Sequence, residues 1–297
     1  MKKSTNRLSV LKTYKLYIGG KFPRTESGRY FAALDTKGNK IANLCLASRK
    51  DSREAIVAAR TALGSWSHLA ANNRGQILYR IAEMLESRKE AFVTELQQQG
   101  LSRSMALRET DVSIDRLIYY AGWCDKYQVL FSSVNPVASS HYNFSVCEPM
   151  GVVAVFAPAS PLLGLISVLA PCLAGGNTAV IVANENQALS AISLAEVLHS
   201  SDVPGGVVNI LTGHTAELMP WIAEHRDVNA VLYTEKNPAT LMSIRTKATG
   251  NLKRVIHWPQ EDWQSGESQS PYHITDLQEI KTTWHPIQQI AGAGASY

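Results

Sequence analysis

The 297-residue sequence lacks the features that mark several large classes of protein. No apolar run approaches the ~20 residues of a membrane-spanning helix, and the basic N-terminal segment has no apolar stretch of the kind found in secretory signals. The four cysteines lie far apart without a CxxC pair, which favours a reducing compartment over a disulfide framework or a zinc site. We therefore expect a cytoplasmic protein without a membrane partner.

Motifs for metal, phosphate and nucleic-acid chemistry are also missing. The eight histidines show no HxH or HExxH spacing, and the sequence has neither a GxSxG elbow nor a P-loop. The net charge of +4 comes from 29 basic and 25 acidic residues that are spread along the chain, without the dense basic stripe typical of nucleic-acid binding. We predict no metal site and no nucleic-acid partner.

The second half of the chain alternates apolar strands with helices. The predicted strands cover residues 152–157, 178–183, 207–211, 229–233 and 253–256, and the predicted helices cover 162–174, 188–200, 215–224 and 238–250. Short helical crossovers between buried strands indicate a parallel sheet with right-handed connections. The predicted fold class is α/β, with a doubly wound, mainly parallel sheet.

The first half is predicted to be mainly helical after a short β-ribbon. Residues 16–30 alternate apolar and polar side chains around Gly19-Gly20, which is typical of an antiparallel ribbon. Helical spacing of apolar residues predicts helices from about Asp51, over 73–98 and over 104–128, with Ile118 among the core residues of the last one.

Three segments carry a resemblance to a known family. Residues 148–177 open Glu-Pro-Met-Gly-Val-Val and end Ala-Gly-Gly-Asn, residues 204–209 read Pro-Gly-Gly-Val-Val-Asn, and residues 251–255 read Asn-Leu-Lys-Arg-Val. In this order and spacing they resemble the NAD-binding domain of the aldehyde dehydrogenases, over about residues 14–258. The resemblance implies a Rossmann-like domain with a small β-ribbon appendage that serves oligomerisation.

The catalytic groups of that family are not matched in this sequence. The family uses a Cys thiolate as nucleophile, an Asn that holds the oxyanion and a Glu base. Ser160 is the nearest occupant of the Asn position, Trp258 stands where the resemblance places the Glu, and no cysteine follows Trp258. Cys172 lies in an apolar helix and is predicted to be structural. We therefore predict no catalytic residue.

The cofactor signals of the family are weakened as well. The ribose-binding lysine aligns with Val182, whereas Glu185 is kept and can accept hydrogen bonds from ribose hydroxyls. Glu235 replaces a glycine before a helix and brings negative charge to a helix N-terminus, the usual position of a pyrophosphate. The resemblance implies Glu185, Gly213 and Thr234 as the remaining cofactor-binding residues, for an NAD whose binding is weakened; no cofactor is certain.

The resemblance also divides the chain into four predicted parts. These are a basic leader or linker (1–13), the NAD-binding-type domain (14–258, with ribbon segments at 14–30 and about 130–148), a loop that replaces the catalytic domain (259–274) and a C-terminal oligomerisation strand and tail (275–297). The ending at residues 281–286, Lys-Thr-Thr-Trp-His-Pro, resembles the degenerate, cysteine-less C-terminal domain of family-sixteen aldehyde dehydrogenases.

Three functions remain open, and whether the chain is an enzyme is uncertain. The first is a catalytically inactive assembly or regulatory partner, as a homo-oligomer or as a hetero-oligomer with an intact aldehyde dehydrogenase, because exposed strand edges favour pairing. The second is an NAD(P)-dependent aldehyde oxidoreductase, by inheritance from the family. The third is a nucleotide-binding sensor that uses Glu185.

Overall fold

The computed structural model describes residues 10–259 and 262–287 and arranges them as three sheets with helices between and around them. The strands are β1 (Thr13–Tyr14), β2 (Tyr30–Leu34), β3 (Lys40–Cys45), β4 (Ser133–Asn135), β5 (His141–Pro149), β6 (Val152–Phe156), β7 (Thr178–Val182), β8 (Val208–Leu211), β9 (Ala230–Tyr233), β10 (Arg254–His257) and β11 (Gln278–Pro286). The helices are α1 (Arg49–Ser67), α2 (Ala71–Ser87), α3 (Lys89–Gln98), α4 (Arg103–Trp123), α5 (Tyr127–Phe131), α6 (Leu163–Ala174), α7 (Ala188–His199), α8 (Thr215–Glu224), α9 (Pro238–Ala248) and α10 (Tyr272–Thr275). The first nine residues of the predicted leader and the last ten of the predicted tail lie outside the described residues.

The central sheet has five parallel strands in the order β10-β9-β6-β7-β8. The chain builds outward from β6 in one direction through β7 and β8, and then returns to add β9 and β10 on the other side of β6. This order confirms the predicted doubly wound α/β fold and puts a topological switch point between β6 and β9. Every residue of β6, β7, β8 and β9 is buried, as expected for strands covered on both faces.

Helices cover the central sheet on both faces. Along β6, Val152 and Ala154 contribute to one hydrophobic cluster, together with α1 and α8, whereas Val153 and Val155 contribute to the other, on the side of α4, α6 and α7. The predicted helix over residues 73–98 is divided into α2 and α3. Ile118, expected in the core, is 43% exposed; α4 buries a different face, which carries polar side chains described below.

A second sheet has the order β11-β5-β4 and is antiparallel. All nine residues of β11 pair with β5, from Gln278 opposite Pro149 to Pro286 opposite His141. Strands form where the ribbon was predicted around residues 130–148, and β11 begins at Gln278, three residues after the predicted start, because Tyr272–Thr275 form α10.

The N-terminal segment does not join that ribbon, so the expectation that residues 14–30 belong to it is corrected. Tyr17 bridges Ile210 at the edge strand β8 of the central sheet, and a tight turn links Ile18 to Lys21. Tyr17 is buried against the sheet, and this burial explains why the segment leaves the ribbon. A third sheet, β1-β3-β2, contains a hairpin that the sequence analysis did not predict.

The connection between β10 and β11 is held to the helical layer by a buried arginine. The guanidinium of Arg116 donates to Ser167 Oγ (2.6 Å), to the carbonyl oxygens of Ser268 (2.9 Å) and Trp263 (3.0 Å), and to Ser268 Oγ (2.9 Å). Trp263 and Ile274 join the main hydrophobic cluster. The described part of the loop predicted over residues 259–274 is thus docked, and it includes α10.

None of the helices formed by residues 10–259 and 262–287 combines the length and apolar character needed to span a bilayer.

Candidate functional site

A crevice of about 400 Å³ opens at the carboxyl ends of the central strands. Its lining comes from the ends of β6, β7 and β9 and from the first turns of α8 and α9: Phe156, Ala157, Asn184, Glu185, Asn186, Thr215, Ala216, Met219, Tyr233, Glu235 and Thr240. Open α/β sheets bind ligands at this edge, beside the topological switch point. The crevice is therefore the candidate ligand site.

Glu185 lines the crevice, but the protein itself engages both of its carboxylate oxygens. Oε1 accepts a hydrogen bond from the main-chain N–H of Thr215 (2.8 Å), the first residue of α8. Oε2 lies 2.8 Å from Nδ1 of His214. The carboxylate thus caps α8, where a free N–H group would otherwise face a ligand.

The other two predicted cofactor residues do not line the crevice. A Cβ atom at Gly213 would lie 3.2 Å from the main-chain nitrogen of Ala47, so this glycine allows close packing against the segment after β3. Thr234 is buried, and its hydroxyl donates to the carbonyl oxygen of Phe156 (3.3 Å). Both residues hold neighbouring segments together at the edge of the sheet.

The start of α9 is also capped by the chain itself. Asn237 Oδ1 accepts hydrogen bonds from the N–H groups of Ala239 (3.0 Å) and Thr240 (3.2 Å). Glu235 stands immediately before this turn, and its Oε1 lies 3.4 Å from Nδ2 of Asn184 across the crevice. A phosphate group placed here would meet a carboxylate and N–H groups that already have acceptors.

The start of α6 is capped by a buried carboxylate that the sequence analysis missed. Glu109, on α4, accepts from Ser160 Oγ (2.8 Å) and from the N–H of Leu163 (3.0 Å). Ser160 Oγ in turn accepts from the N–H of Gly164 (2.9 Å). The hydroxyl proton of Ser160, the residue nearest the family's oxyanion-binding Asn, is therefore directed to Glu109 and away from any substrate.

A helical pattern in the sequence could have revealed this buried polar face of α4. Glu109, Ser113, Arg116 and Tyr120 lie at spacings of four, three and four residues, which places them on one face of the helix. All four are buried. A stripe of polar side chains at helical spacing, flanked by apolar residues, thus predicts a buried polar network as readily as a solvated face.

None of the four cysteines has the surroundings of an activated nucleophile. All are unpaired and buried. Burial raises the pKa of Cys172, in the middle of α6, and the pKa of Cys147 above their usual values, and it raises the pKa of Cys124 to about 12. A thiol that stays protonated and inaccessible is a poor nucleophile.

Comparisons with known proteins identify the family of this chain. The aldehyde dehydrogenase family model matches residues 24–257. The chain belongs to the aldehyde dehydrogenase family. It is 32% identical over 262 residues to the cytosolic 10-formyltetrahydrofolate dehydrogenase of Xenopus tropicalis, an alignment that covers 86% of this chain and 29% of the relative. It is 32% identical over 260 residues to the human mitochondrial 10-formyltetrahydrofolate dehydrogenase, which covers 85% of this chain and 28% of that protein.

Solved aldehyde dehydrogenase structures share the fold. The NAD⁺ complex of the Bacillus cereus aldehyde dehydrogenase superposes with a TM-score of 0.78 at 26% identity, and covers 82% of this chain and 50% of that one. PnpE from Pseudomonas sp. WBC-3 gives a TM-score of 0.79 at 29% identity with the same coverage. This aldehyde dehydrogenase family chain thus spans half the length of these structures, and under a third of the two curated relatives.

The family implies NAD as a cofactor, but the residues present do not fit its pyrophosphate. The N-termini of α6, α8 and α9 are each capped by a side chain of this chain, Glu109, Glu185 and Asn237 respectively. Two of these caps are carboxylates, and Glu235 adds a third carboxylate beside the crevice. A dinucleotide therefore finds few free N–H donors and a repulsive charge where its phosphates would lie.

Proposed function

We propose that this aldehyde dehydrogenase family chain is a non-catalytic, cytoplasmic assembly or regulatory partner. Its partner is another copy of the chain or an intact aldehyde dehydrogenase. The two chains would associate through the three-stranded sheet β11-β5-β4. The proposal rests on a contrast between two parts of the molecule. The outer edge of β11 has no neighbouring strand among the described residues, whereas the N-termini of α6, α8 and α9 are capped by side chains of this chain.

The exposed strand β11 supports the assembly role. Among the described strands, β11 pairs with β5 alone, so the other edge of its nine residues is left without a neighbouring strand. Ile280 and Trp284 on this strand are 58% and 57% exposed. An edge strand with unpaired main-chain groups and exposed apolar side chains is suited to pairing with another chain.

The buried thiols support the non-catalytic part of the proposal. The oxidoreductase alternative needs a thiolate that reaches an aldehyde, and Cys172, the cysteine within the strand-turn-helix motif, is enclosed in α6 with a raised pKa. The nucleotide-sensor alternative rests on Glu185, which lines the crevice but already accepts from Thr215 and contacts His214. The resemblance of residues 281–286 to the family-sixteen C-terminal domain accords with a partner role.

The test measures association directly. We expect light scattering after size-exclusion chromatography to show self-association, or a mixed complex with an intact aldehyde dehydrogenase from the same organism. Trp284→Lys should weaken association by about tenfold or more, because it places a charge on the contact surface. Met242→Lys, on an exposed apolar position of α9, adds the same charge elsewhere and should have no effect. A wild-type chain that stays monomeric, alone and in the mixture, refutes the proposal.

A thermal melt separates the nucleotide-sensor alternative from the partner role. A ligand present at 100 times its Kd stabilises the folded state by about 2.7 kcal/mol, which moves a melt by several degrees. We expect millimolar NAD⁺ and NADH to leave the midpoint unchanged because of the capped helix N-termini. A clear shift that disappears in Glu185→Ala would establish nucleotide binding in the crevice.

A further inference from the structure

A second cavity, of about 390 Å³, lies between the first turns of α1 and the end of α8. Arg49, Arg53, Trp221, Glu224 and His225 are among its lining residues. None of these residues lines the crevice at the strand ends. The proposed assembly role makes no use of this cavity, so its chemistry is a separate question.

The positive charge of this cavity is not neutralised by its own lining. Its one lining carboxylate, Glu224, forms an ion pair with Lys247 on α9. Arg49 lies over the ring of Trp221, with 3.9 Å between its guanidinium carbon and the ring centroid. Within residues 10–259 and 262–287, neither Arg49 nor Arg53 has a carboxylate within ion-pair distance.

His225 also lines the cavity. The N–H of Asp227 donates to Nδ1 of His225 (3.2 Å), which leaves Nε2 as the nitrogen that carries the proton in the neutral ring. Burial lowers the pKa of His225, and the nearby cations Lys253, Arg53 and Arg60 lower it further against the opposing effect of Asp227. Burial thus favours the neutral form of this histidine.

We propose that the cavity between α1 and α8 binds a small dianion, a phosphate group or a dicarboxylate, through Arg49, Arg53 and His225. Arg49 and Arg53 are four residues apart on one face of α1 and both line the cavity, so their guanidinium groups can pair with the oxygens of such an anion. The indole of Trp221 fixes the guanidinium of Arg49 through its ring face.

Calorimetric titration of the full chain, in a chloride buffer, with inorganic phosphate and separately with succinate tests this site. We expect saturable binding of at least one probe, and the tighter of the two identifies the anion class. Arg53→Gln should weaken that binding about tenfold or more, since hydrogen bonds to charged groups are among the strong ones. Arg108→Gln, an exposed arginine on α4 in the other helical layer, changes the net charge equally and should leave binding intact.

Two results would overturn the proposal. One is the absence of saturable binding of both probes at millimolar concentrations. The other is an equal loss in Arg53→Gln and Arg108→Gln, which would mean that only the overall charge attracts the anions. Arg49→Gln serves as a second variant, and a melt of each variant shows that it is folded, so that loss of binding is not confused with loss of structure.

Discussion

The five-stranded parallel sheet and the three-stranded antiparallel sheet differ in how many of their side chains are buried. Every residue of β6 and β7 is buried, whereas Gln278 is the one buried residue of β11. The first sheet has helices on both faces, and the second has an edge strand whose outer side lacks a strand among the described residues. The comparison assigns more of the buried core to the parallel sheet, and the proposed association would use the antiparallel sheet.

The largest effect is expected from removing the arginine that docks the connection between β10 and β11 onto the helical layer. Arg116→Leu removes four hydrogen bonds from a buried guanidinium and leaves the acceptors of Ser167, Trp263 and Ser268 with fewer donors. We expect the free energy of unfolding to fall by about 3–5 kcal/mol, because each hydrogen bond to a charged group contributes about 1.5–3 kcal/mol, and the lost desolvation cost of the buried charge offsets only part of their sum. Chemical denaturation monitored by tryptophan fluorescence measures this change.

Arg108→Leu is the matched control for that change. Arg108 is exposed on the same helix, and its replacement should alter the stability by no more than about 0.5 kcal/mol. If Arg116→Leu were equally mild, the segment that joins β10 to β11 would not depend on the arginine, and the two sheets would be more independent than the contacts indicate.

The parallel sheet could be predicted from the sequence because strands that are buried on both faces are apolar throughout. A strand such as Thr178–Val182 is a short, continuous apolar run, and short helices separate it from the next such run. Right-handed crossovers then place the connecting helices on the faces of the sheet, whereas the strand order comes from the structure. The β2-β3 hairpin was missed because its side chains are half exposed and carry no comparable pattern.

The capping of the helix N-termini around the crevice could not be predicted in the same way. The losses at Ser160 and Glu235 were visible in the sequence, but the occupation of the helix N-termini depends on residues from distant segments. Glu109 reaches α6 from α4, and Glu185 reaches α8 from the end of β7. Which carboxylate caps which helix is a result of tertiary packing, so sequence spacing alone does not show it.

A direct comparison of the two sheets uses isoleucines in each. Ile181→Ala in β7 creates a cavity in a fully buried strand, and we expect a loss of about 2–5 kcal/mol in stability. Ile280→Ala in β11 removes an exposed side chain and should cost no more than about 0.5 kcal/mol in the monomer. Denaturation at low protein concentration, where association is minimal, gives both values.

The same pair of variants separates stability from association. Ile280→Ala should weaken the self-association or mixed complex seen by light scattering, whereas Ile181→Ala should leave the contact surface intact as long as the chain is folded. A large loss of stability in Ile280→Ala at low concentration would mean that β11 belongs to the folding core and not to a partner surface.

The smallest effect concerns a charge at the edge of the parallel sheet. Lys253, next to β10, is buried and donates to the carbonyl oxygen of His225 (2.7 Å); burial lowers the pKa of its ammonium group to about 8. Below about pH 8 the lysine is protonated in both states, and the folded state bears the cost of desolvation. Between about pH 8 and about pH 10.5 the folded chain has released this proton and the unfolded chain has not, so stability should rise with pH.

Lys253→Met isolates this contribution. The buried tyrosines with raised pKa values, such as Tyr120, affect both proteins equally, so the informative quantity is the difference in unfolding free energy between wild type and variant. As the pH rises from about 8 to about 10.5, the unfolding free energy of the wild type should increase relative to that of the variant. A difference that stays constant would mean that the ammonium group keeps its solution pKa in the folded state. Water would then reach the charge even at this edge of the parallel sheet, and the two sheets would differ less in burial than the structure indicates.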